Sequence, residues 1–252
     1  MKVVAVIPAR YKSSRFPGKP LADICGKPMI WWVYHQVKKV NMIDDVYVAT
    51  DDDKIAGVCD EYKMKYIMTS DNCPEHISRV HEVTTKVDAD YYVCVNGDEP
   101  LIDPKCIEEV INNAPKTVPT DVYFGGAMRE LTDPAETIDF ANLKVVMSDT
   151  GRCVYISRTP VPYPRGTLMF KYNKYVGIEC FNKAALDFFV STPKGYVENI
   201  EDIDHLRFIE NGKFLTFTKV DSESISVDTP KDLEKVTILM QQKIDNGEIS
   251  NE

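Results

Sequence analysis

The chain has 252 residues, which suits one large domain, and its 44% hydrophobic and 27% charged residues are typical of a globular protein. Its formal net charge of -9 argues against a nucleic-acid-binding protein, which normally has a basic surface. No apolar segment is long enough to span a bilayer, and the first apolar stretch is too short for a signal peptide, so we expect a cytoplasmic protein without a membrane anchor.

The cysteines support that expectation. There are seven, scattered through the chain, and no two of them form a C-x-x-C pair. This spacing favours neither a zinc site nor a disulfide framework. Several, such as Cys94, stand in apolar runs and are predicted to be small buried hydrophobes, as is usual in a reducing cytoplasm.

The first half of the chain alternates between two hydrophobic periods. Continuous apolar runs predict strands buried on both faces at residues 3–7, 46–50, 65–68 and 91–95. Apolar residues spaced by three and four, or acidic helix starts, predict helices at residues 28–40, from 51, at 76–87 and at 107–113. Such alternation predicts an α/β fold, in which a mostly parallel twisted sheet carries helices on both faces.

The second half is less regular. Strands are predicted at residues 123–128, 143–147, 152–156 and 214–219. Helices are predicted at residues 184–190, 201–209 and 230–243. No change in composition divides the chain, so we expect a single domain over residues 1–252.

A basic loop follows the first predicted strand. Residues 10–21 carry four cations, two serines and one glycine, but neither the Walker A nor the G-x-G-x-x-G pattern. A loop between a strand and a helix, with Arg and Lys donors, can bind phosphates by the same physics. The alternative is a solvated basic surface loop; four cations so close together in an acidic chain favour phosphate binding.

Two acidic signatures complement this loop. Asp98 lies in Asn96-Gly97-Asp98-Glu99-Pro100, directly after the fourth strand, and Asp228 lies in Val227-Asp228-Thr229-Pro230. Ligands of parallel sheets bind beyond the carboxyl ends of the strands, so the loop and Asp98 should share one rim. Such carboxylates can hold Mg²⁺ on phosphates. Alternatively, Asp98 is a turn residue and Asp228 the N-cap of a helix that begins at Pro230.

Several segments together carry a family resemblance. They are Ile7-Pro8-Ala9-Arg10-Tyr11, Arg15-Phe16-Pro17-Gly18-Lys19-Pro20-Leu21, Val48-Ala49-Thr50-Asp51, Val95-Asn96-Gly97-Asp98-Glu99-Pro100, Leu143-Lys144-Val145-Val146 and Val227-Asp228-Thr229-Pro230-Lys231-Asp232-Leu233. In this order they resemble the 3-deoxy-manno-octulosonate (Kdo) cytidylyltransferases, which make CMP-Kdo for lipopolysaccharide. The resemblance covers nearly the whole chain.

The resemblance implies a fold like that of nucleotide-diphospho-sugar transferases and a reaction. A hydroxyl of an acidic acceptor attacks the α-phosphorus of CTP and pyrophosphate leaves. It implies that Arg10, Lys19 and Asp98 are catalytic, and that Asp98 and Asp228 bind Mg²⁺. The nucleotide-binding residues it implies are Ala9, Arg10, Ser13, Ser14, Arg15, Lys19, Arg79, Asn96 and Gly97.

The chain departs from the family pattern where the acceptor should bind. The family's Ser-Gly-Thr-Glu-Arg is Glu75-His76-Ile77-Ser78-Arg79 here, and its Gln-Gly-Asp-Glu-Pro begins with Asn96. Its His-Leu-Gly-Ile-Tyr is Tyr175-Val176-Gly177-Ile178-Glu179, and its Glu-Gln-Leu-Arg is Asp204-His205-Leu206-Arg207. A polar site rejects an altered acceptor strongly, so these changes favour a different acid over a degraded Kdo site, with neutral drift as the alternative.

The acceptor-binding residues expected from these segments are His76, Tyr175, Asp204 and His205, and Arg158 is expected from Ser157-Arg158, which matches the family. Arg158 has an ordinary surface or dimer-interface role as its alternative, and His205 that of a satisfied helix histidine. The resemblance also suggests a homodimer, with residues 121–175 as a smaller mixed-strand subregion for dimerisation and acceptor binding.

Other functions remain open at this point. The same chemistry could act on another ulosonic acid, an amino-substituted Kdo, a phosphonate or a phosphate. A glycosyltransferase usually shows D-x-D at a strand end, whereas Asp98 lies in Gly-Asp-Glu. A catalytically silent nucleotide-binding protein should have lost its phosphate or metal residues, yet Arg10, Lys19, Asp98 and Asp228 are all present.

Overall fold

A computed structural model describes residues 1–12, 16–167 and 169–250. Its strands are β1 Val3–Ala9, β2 Asp23–Ile24, β3 Lys27–Pro28, β4 Asp45–Thr50, β5 Tyr66–Met68, β6 Tyr91–Val95, β7 Phe124–Glu130, β8 Lys144–Met147, β9 Cys153–Ser157, β10 Asn173–Phe181 and β11 Leu215–Lys219. Its α-helices are α1 Met29–Lys38, α2 Asp53–Glu61, α3 His76–Thr84, α4 Pro104–Asn113, α5 Pro134–Ile138, α6 Lys183–Ser191, α7 Tyr196–Glu201, α8 Leu206–Glu210 and α9 Pro230–Asp245.

The parallel half of the central sheet follows the sequence prediction. β1 pairs in parallel with β4 and β6, and β4 pairs in parallel with β5. Alternate residues of β1 enter opposite cores: Val3, Ala5 and Ile7 pack with α1 and α4, while Val4 and Val6 pack with α3 and α6. The predicted α/β class, with helices on both faces, is therefore confirmed.

The other half of the sheet contains a strand that the sequence prediction missed. β10 pairs antiparallel with β6 and β7 and lies between them, so the main path is β11-β7-β10-β6-β1-β4-β5. Its register with β7 shifts between Val176 and Glu179. Charged residues such as Glu179 interrupt the apolar run that would have indicated a buried strand.

One predicted helix is wrong. Instead of one helix over residues 201–209, α7 ends at Glu201 and α8 begins at Leu206. Asp202 between them is left-handed, with φ 53°, a conformation that Asp tolerates better than most residues. This break places Asp202 and Asp204 beside the cleft at the carboxyl ends of β1 and β6.

The mixed-strand subregion consists of the β8–β9 hairpin and its neighbours. β8 pairs antiparallel with both β9 and β10, which attaches the hairpin to the central sheet. None of the helices in the described residues is long and apolar enough to cross a membrane.

Candidate active site

A cleft of about 760 Å³ opens beyond the carboxyl ends of β1 and β6. This is the rim at which ligands of parallel sheets bind. The following predicted site residues line it: Ala9, Arg10, Lys19, His76, Arg79, Asn96, Gly97, Asp98, Arg158 and Asp228. Three further predicted residues, Ser13, Ser14 and Arg15, lie outside the described residues.

Lys19 joins the two acidic signatures. Its Nζ lies 2.6 Å from Asp98 Oδ2 and 3.6 Å from Asp228 Oδ1. The backbone N–H of Val227 donates to the Asp98 carbonyl oxygen at 2.9 Å, which fixes the second acidic segment beside the first. Three segments that are remote in sequence therefore form one charged centre.

Two local features make this meeting possible. A Cβ at Gly97 would lie 2.8 Å from the carbonyl oxygen of Pro8, so only glycine lets the ends of β1 and β6 approach this closely. The N-cap of α9 is Thr229, whose hydroxyl accepts from the Asp232 N–H. The alternative that Asp228 is the N-cap is therefore wrong, and its carboxylate faces Lys19.

The two carboxylates fit a divalent cation. Asp98 Oδ1 is buried and has no hydrogen-bond partner within residues 1–12, 16–167 and 169–250. Buried polar atoms are nearly always partnered, so such an atom needs an explanation, and a metal ion is one. Carboxylate oxygens are the ligands that Mg²⁺ uses in phosphate-binding sites.

Of the predicted nucleotide-binding arginines, the two within the described residues differ in exposure. Arg10 is exposed and donates from Nη1 to the Pro74 carbonyl oxygen at 3.2 Å. Arg79 is 1% exposed; its Nη2 lies 3.0 Å from Asp51 Oδ2 and its Nη1 donates to Thr69 Oγ1. Arg79 therefore fixes α3 to the end of β4, whereas Arg10 presents its charge to the cleft.

Next to His76, on the acceptor side of the cleft, three side chains lie within hydrogen-bond distance of one buried carboxylate. Glu179, on β10, is fully buried and accepts from Tyr175 Oη at 2.8 Å. His76 Nε2 lies 3.0 Å from Glu179 Oε2, and His205 Nε2 lies 2.6 Å from Oε1. The other ring nitrogen of His76 lies 3.2 Å from Asp204 Oδ2. We call these five residues the Glu179 cluster.

The cluster holds opposite charges together. Burial acts to raise the pKa of Glu179, but His76 and His205 hold that pKa well below its usual range. Burial acts to lower the pKa of His76, yet the carboxylates of Glu179 and Asp204 raise it well above its ordinary value. The two flanking carboxylates therefore favour the protonated, cationic form of His76.

The structure separates the five predicted acceptor residues into two layers. His76 and Arg158 line the cleft, and Tyr175, Asp204 and His205 support His76 or Glu179 from behind. Glu179 was not among the predicted site residues. The available signal was a carboxylate within an otherwise apolar stretch, which requires buried partners.

The Arg158 side chain lines the cleft and is held there by two backbone carbonyl groups. Its Nε donates to the Glu201 carbonyl oxygen at 2.6 Å and its Nη2 to that of Asp202 at 2.9 Å. These carbonyls close α7, so the guanidinium sits at the negative end of that helix. Within the described chain no carboxylate forms a salt bridge with it, so the charge remains available to an anion.

Comparison with known proteins identifies the family. Residues 4–225 match the family model described as cytidylyltransferase. The 3-deoxy-manno-octulosonate cytidylyltransferase of Escherichia coli is 37% identical, over 96% of this chain and 98% of its own length. The chain belongs to the Kdo cytidylyltransferase family.

A second curated relative and a solved structure are also similar to this cytidylyltransferase over most of its length. The 8-amino-3,8-dideoxy-manno-octulosonate cytidylyltransferase of Shewanella baltica is 35% identical, over 93% of this chain and 97% of that one. A solved structure of CMP:2-keto-3-deoxy-manno-octonic acid synthetase complexed with CTP is 36% identical, with a TM-score of 0.88, and covers 96% of this chain and 100% of the other. The nucleotidyltransferase fold that the resemblance implied is confirmed.

Proposed function

We propose that this enzyme transfers CMP from CTP to a hydroxyl of Kdo or a Kdo-like acid and releases pyrophosphate. The observation that carries the proposal is the centre in which Lys19 joins Asp98 and Asp228 at the rim of the sheet. A chain with the same fold, 36% identical, is described as a complex with CTP. The product would be an activated sugar acid for lipopolysaccharide or capsule assembly.

The nucleotide half of the reaction depends on position and charge. Arg10 and Lys19 would bind the triphosphate, with Ser13, Ser14 and Arg15 of the same loop, while Ala9, Asn96 and Gly97 shape the floor. Asp98 and Asp228 would hold Mg²⁺, which would neutralise charge on the phosphates and orient the attack. Positioned cations that stabilise the developing charge then supply most of the rate.

The acceptor half lies toward Arg158 and His76. The Arg158 guanidinium has no salt-bridge partner in the described residues and would pair with the acid group of the acceptor. His76 forms the adjoining wall. An acceptor held between them would present its hydroxyl toward the α-phosphate of CTP.

The direct test is pyrophosphate release. We expect release to require CTP, Mg²⁺ and a 2-keto-3-deoxy sugar acid together, with ATP and GTP as matched nucleotide controls. EDTA should stop it, and excess Mg²⁺ should restore it. Tight CTP binding without release for any acid would instead identify a catalytically silent nucleotide-binding protein.

We also propose a cytoplasmic homodimer. All seven cysteines are free and six are buried, as suits a reducing compartment. Residues 121–175 expose several large apolar side chains, which usually mark an interface. They are Ile138, Phe140, Val154, Tyr163, Met169 and Phe170.

The dimer has its own test. Ile138 and Phe140 are 76% and 71% exposed, so a change of both to aspartate should not disturb the core. We expect that variant to sediment as a monomer while the parent sediments as a dimer. Ile238→Asp, at a residue of α9 that is 55% exposed, is the matched control and should stay dimeric. A monomeric parent would contradict the proposal.

A further inference from the structure

The residues of the Glu179 cluster come from separate segments of the chain. They are His76, Tyr175, Glu179, Asp204 and His205, and each stands where this sequence departs from the family pattern given above. In that pattern the corresponding residues are Gly, His, Tyr, Glu and Gln. The structure joins all five by hydrogen bonds or ion pairs of 2.6 to 3.2 Å. Independent drift at a tolerant rim would not produce mutual partners, so the changes form one unit.

The unit leaves the charge of the pocket nearly unchanged. Relative to the pattern, His76 adds a cation, and Glu179 adds an anion 3.0 Å away. Asp204 retains the carboxylate that the pattern has as glutamate. The cluster therefore gives no reason to change the charge of the acceptor, and Arg158 still favours an acid.

The unit instead reduces the volume of the acceptor side of the cleft. The tyrosine, glutamate and second histidine lie behind the cleft, and His76 is the cluster member that lines it. An imidazole there occupies volume that a glycine would leave open. The same cleft of about 760 Å³ must also hold the nucleotide. The volume that the imidazole occupies therefore reduces the length of acceptor that fits beside the nucleotide.

The ring is also fixed. Both of its nitrogens are engaged, Nε2 with Glu179 and Nδ1 with Asp204. Swinging the ring out of the cleft would break both contacts at once and would take from the fully buried Glu179 its donor on Oε2. Buried polar groups that lose a partner are costly, so the ring resists displacement by a longer acceptor.

We propose that His76 is a specificity-determining residue that narrows the acceptor side, and that the acceptor is a compact acid, shorter than the eight-carbon Kdo. Glu179 is the positioning residue that holds it there. The inference rests on the proposed cytidylyl transfer and narrows its acceptor. A six-carbon 2-keto-3-deoxy acid and a small phosphonate that carries a hydroxyl share the required chemistry, which is one anionic group and one attacking hydroxyl on a short skeleton.

The experiment compares acceptors by pyrophosphate release. We expect the parent to have a kcat/KM for at least one of the two compact acids about tenfold or more above that for Kdo. The double variant His76→Gly with Glu179→Tyr restores the family pattern at both positions. It should shift the ratio toward Kdo by about tenfold, through the KM of the acceptor, while the KM of CTP stays the same.

His81→Gly is the matched control, because His81 is on the same helix and pairs with Asp187 away from the cleft. It should leave the acceptor ratio unchanged. A parent that prefers Kdo overturns the inference, even if the double variant fails to fold. So does a double variant with an unchanged ratio, or one whose KM for CTP rises as much as that for the acceptor.

These outcomes differ from failure of the proposed function. Turnover with an unchanged acceptor ratio contradicts only the role of His76. No release from any protein with any acid contradicts cytidylyl transfer itself, and the inference with it. About one equivalent of bound zinc in the purified protein would also overturn the inference, because His76, Cys94 and Glu179 would then be metal ligands.

Discussion

Asp98→Asn should lower cytidylyl transfer by about a thousandfold, equivalent to about 4 kcal/mol of transition-state stabilisation. Asparagine keeps the size of the side chain but removes its charge. It would leave Lys19 with weaker compensation and the proposed metal with one carboxylate fewer. The variant should also lose most of the Mg²⁺ dependence of CTP binding, measured by calorimetry with and without the ion.

The controls separate this role from a structural one. Asp149→Asn, on the exposed turn between β8 and β9, makes the same chemical change outside the cleft and should leave both measurements unchanged. Circular dichroism should show that Asp98→Asn retains its fold. A folded variant with normal turnover would refute the assignment of Asp98 as a metal ligand.

The second large effect is on stability. Arg207 is 4% exposed, and its Nε and Nη2 donate to the two oxygens of Glu198 at 2.9 and 2.6 Å. Nη2 also reaches Glu75 Oε1 at 3.3 Å. Arg207→Met keeps much of the aliphatic length but leaves the Glu198 carboxylate buried without its partner. We expect the free energy of unfolding to fall by about 3–5 kcal/mol, measured by urea denaturation.

Two further variants define the cause. Lys183→Met breaks an exposed pair with Asp187 on α6 and should cost about 0.5 kcal/mol. Adding Glu198→Met to Arg207→Met removes the orphaned charge and should recover part of the loss. If Arg207→Met costs no more than Lys183→Met, the buried pair does not stabilise this region.

The sequence predicted those parts of the fold that leave a local pattern of apolar residues, and it missed those that depend on contacts between remote segments. The buried parallel strands and most helices leave a periodic apolar pattern, and β1, β6 and α3 lie close to where that pattern put them. β10 was missed because two of the partners of its buried carboxylate are histidines on α3 and beside α8, far away in sequence. Hydrogen bonds between remote segments leave no periodicity.

The charged centre shows the same limit. Thr229 and Asp228 are both good N-cap residues, so sequence alone could not decide between them. Only the capping box of Thr229 with Asp232 shows that the Asp228 side chain is available to Lys19. Similarly, the resemblance showed which acceptor segments are altered. That these segments meet around Glu179 could be seen only from the three-dimensional contacts.

The bond from the Val227 N–H to the Asp98 carbonyl oxygen has a consequence for how far the charged centre depends on the sheet. The sheet scaffold from β1 to β11 is complete by Lys219, whereas the second carboxylate arrives only with the segment that follows. The sheet and the charged centre are therefore separable. Release of this contact would leave every strand paired while it moved Asp228 away from Lys19, so the centre can be lost without loss of the architecture.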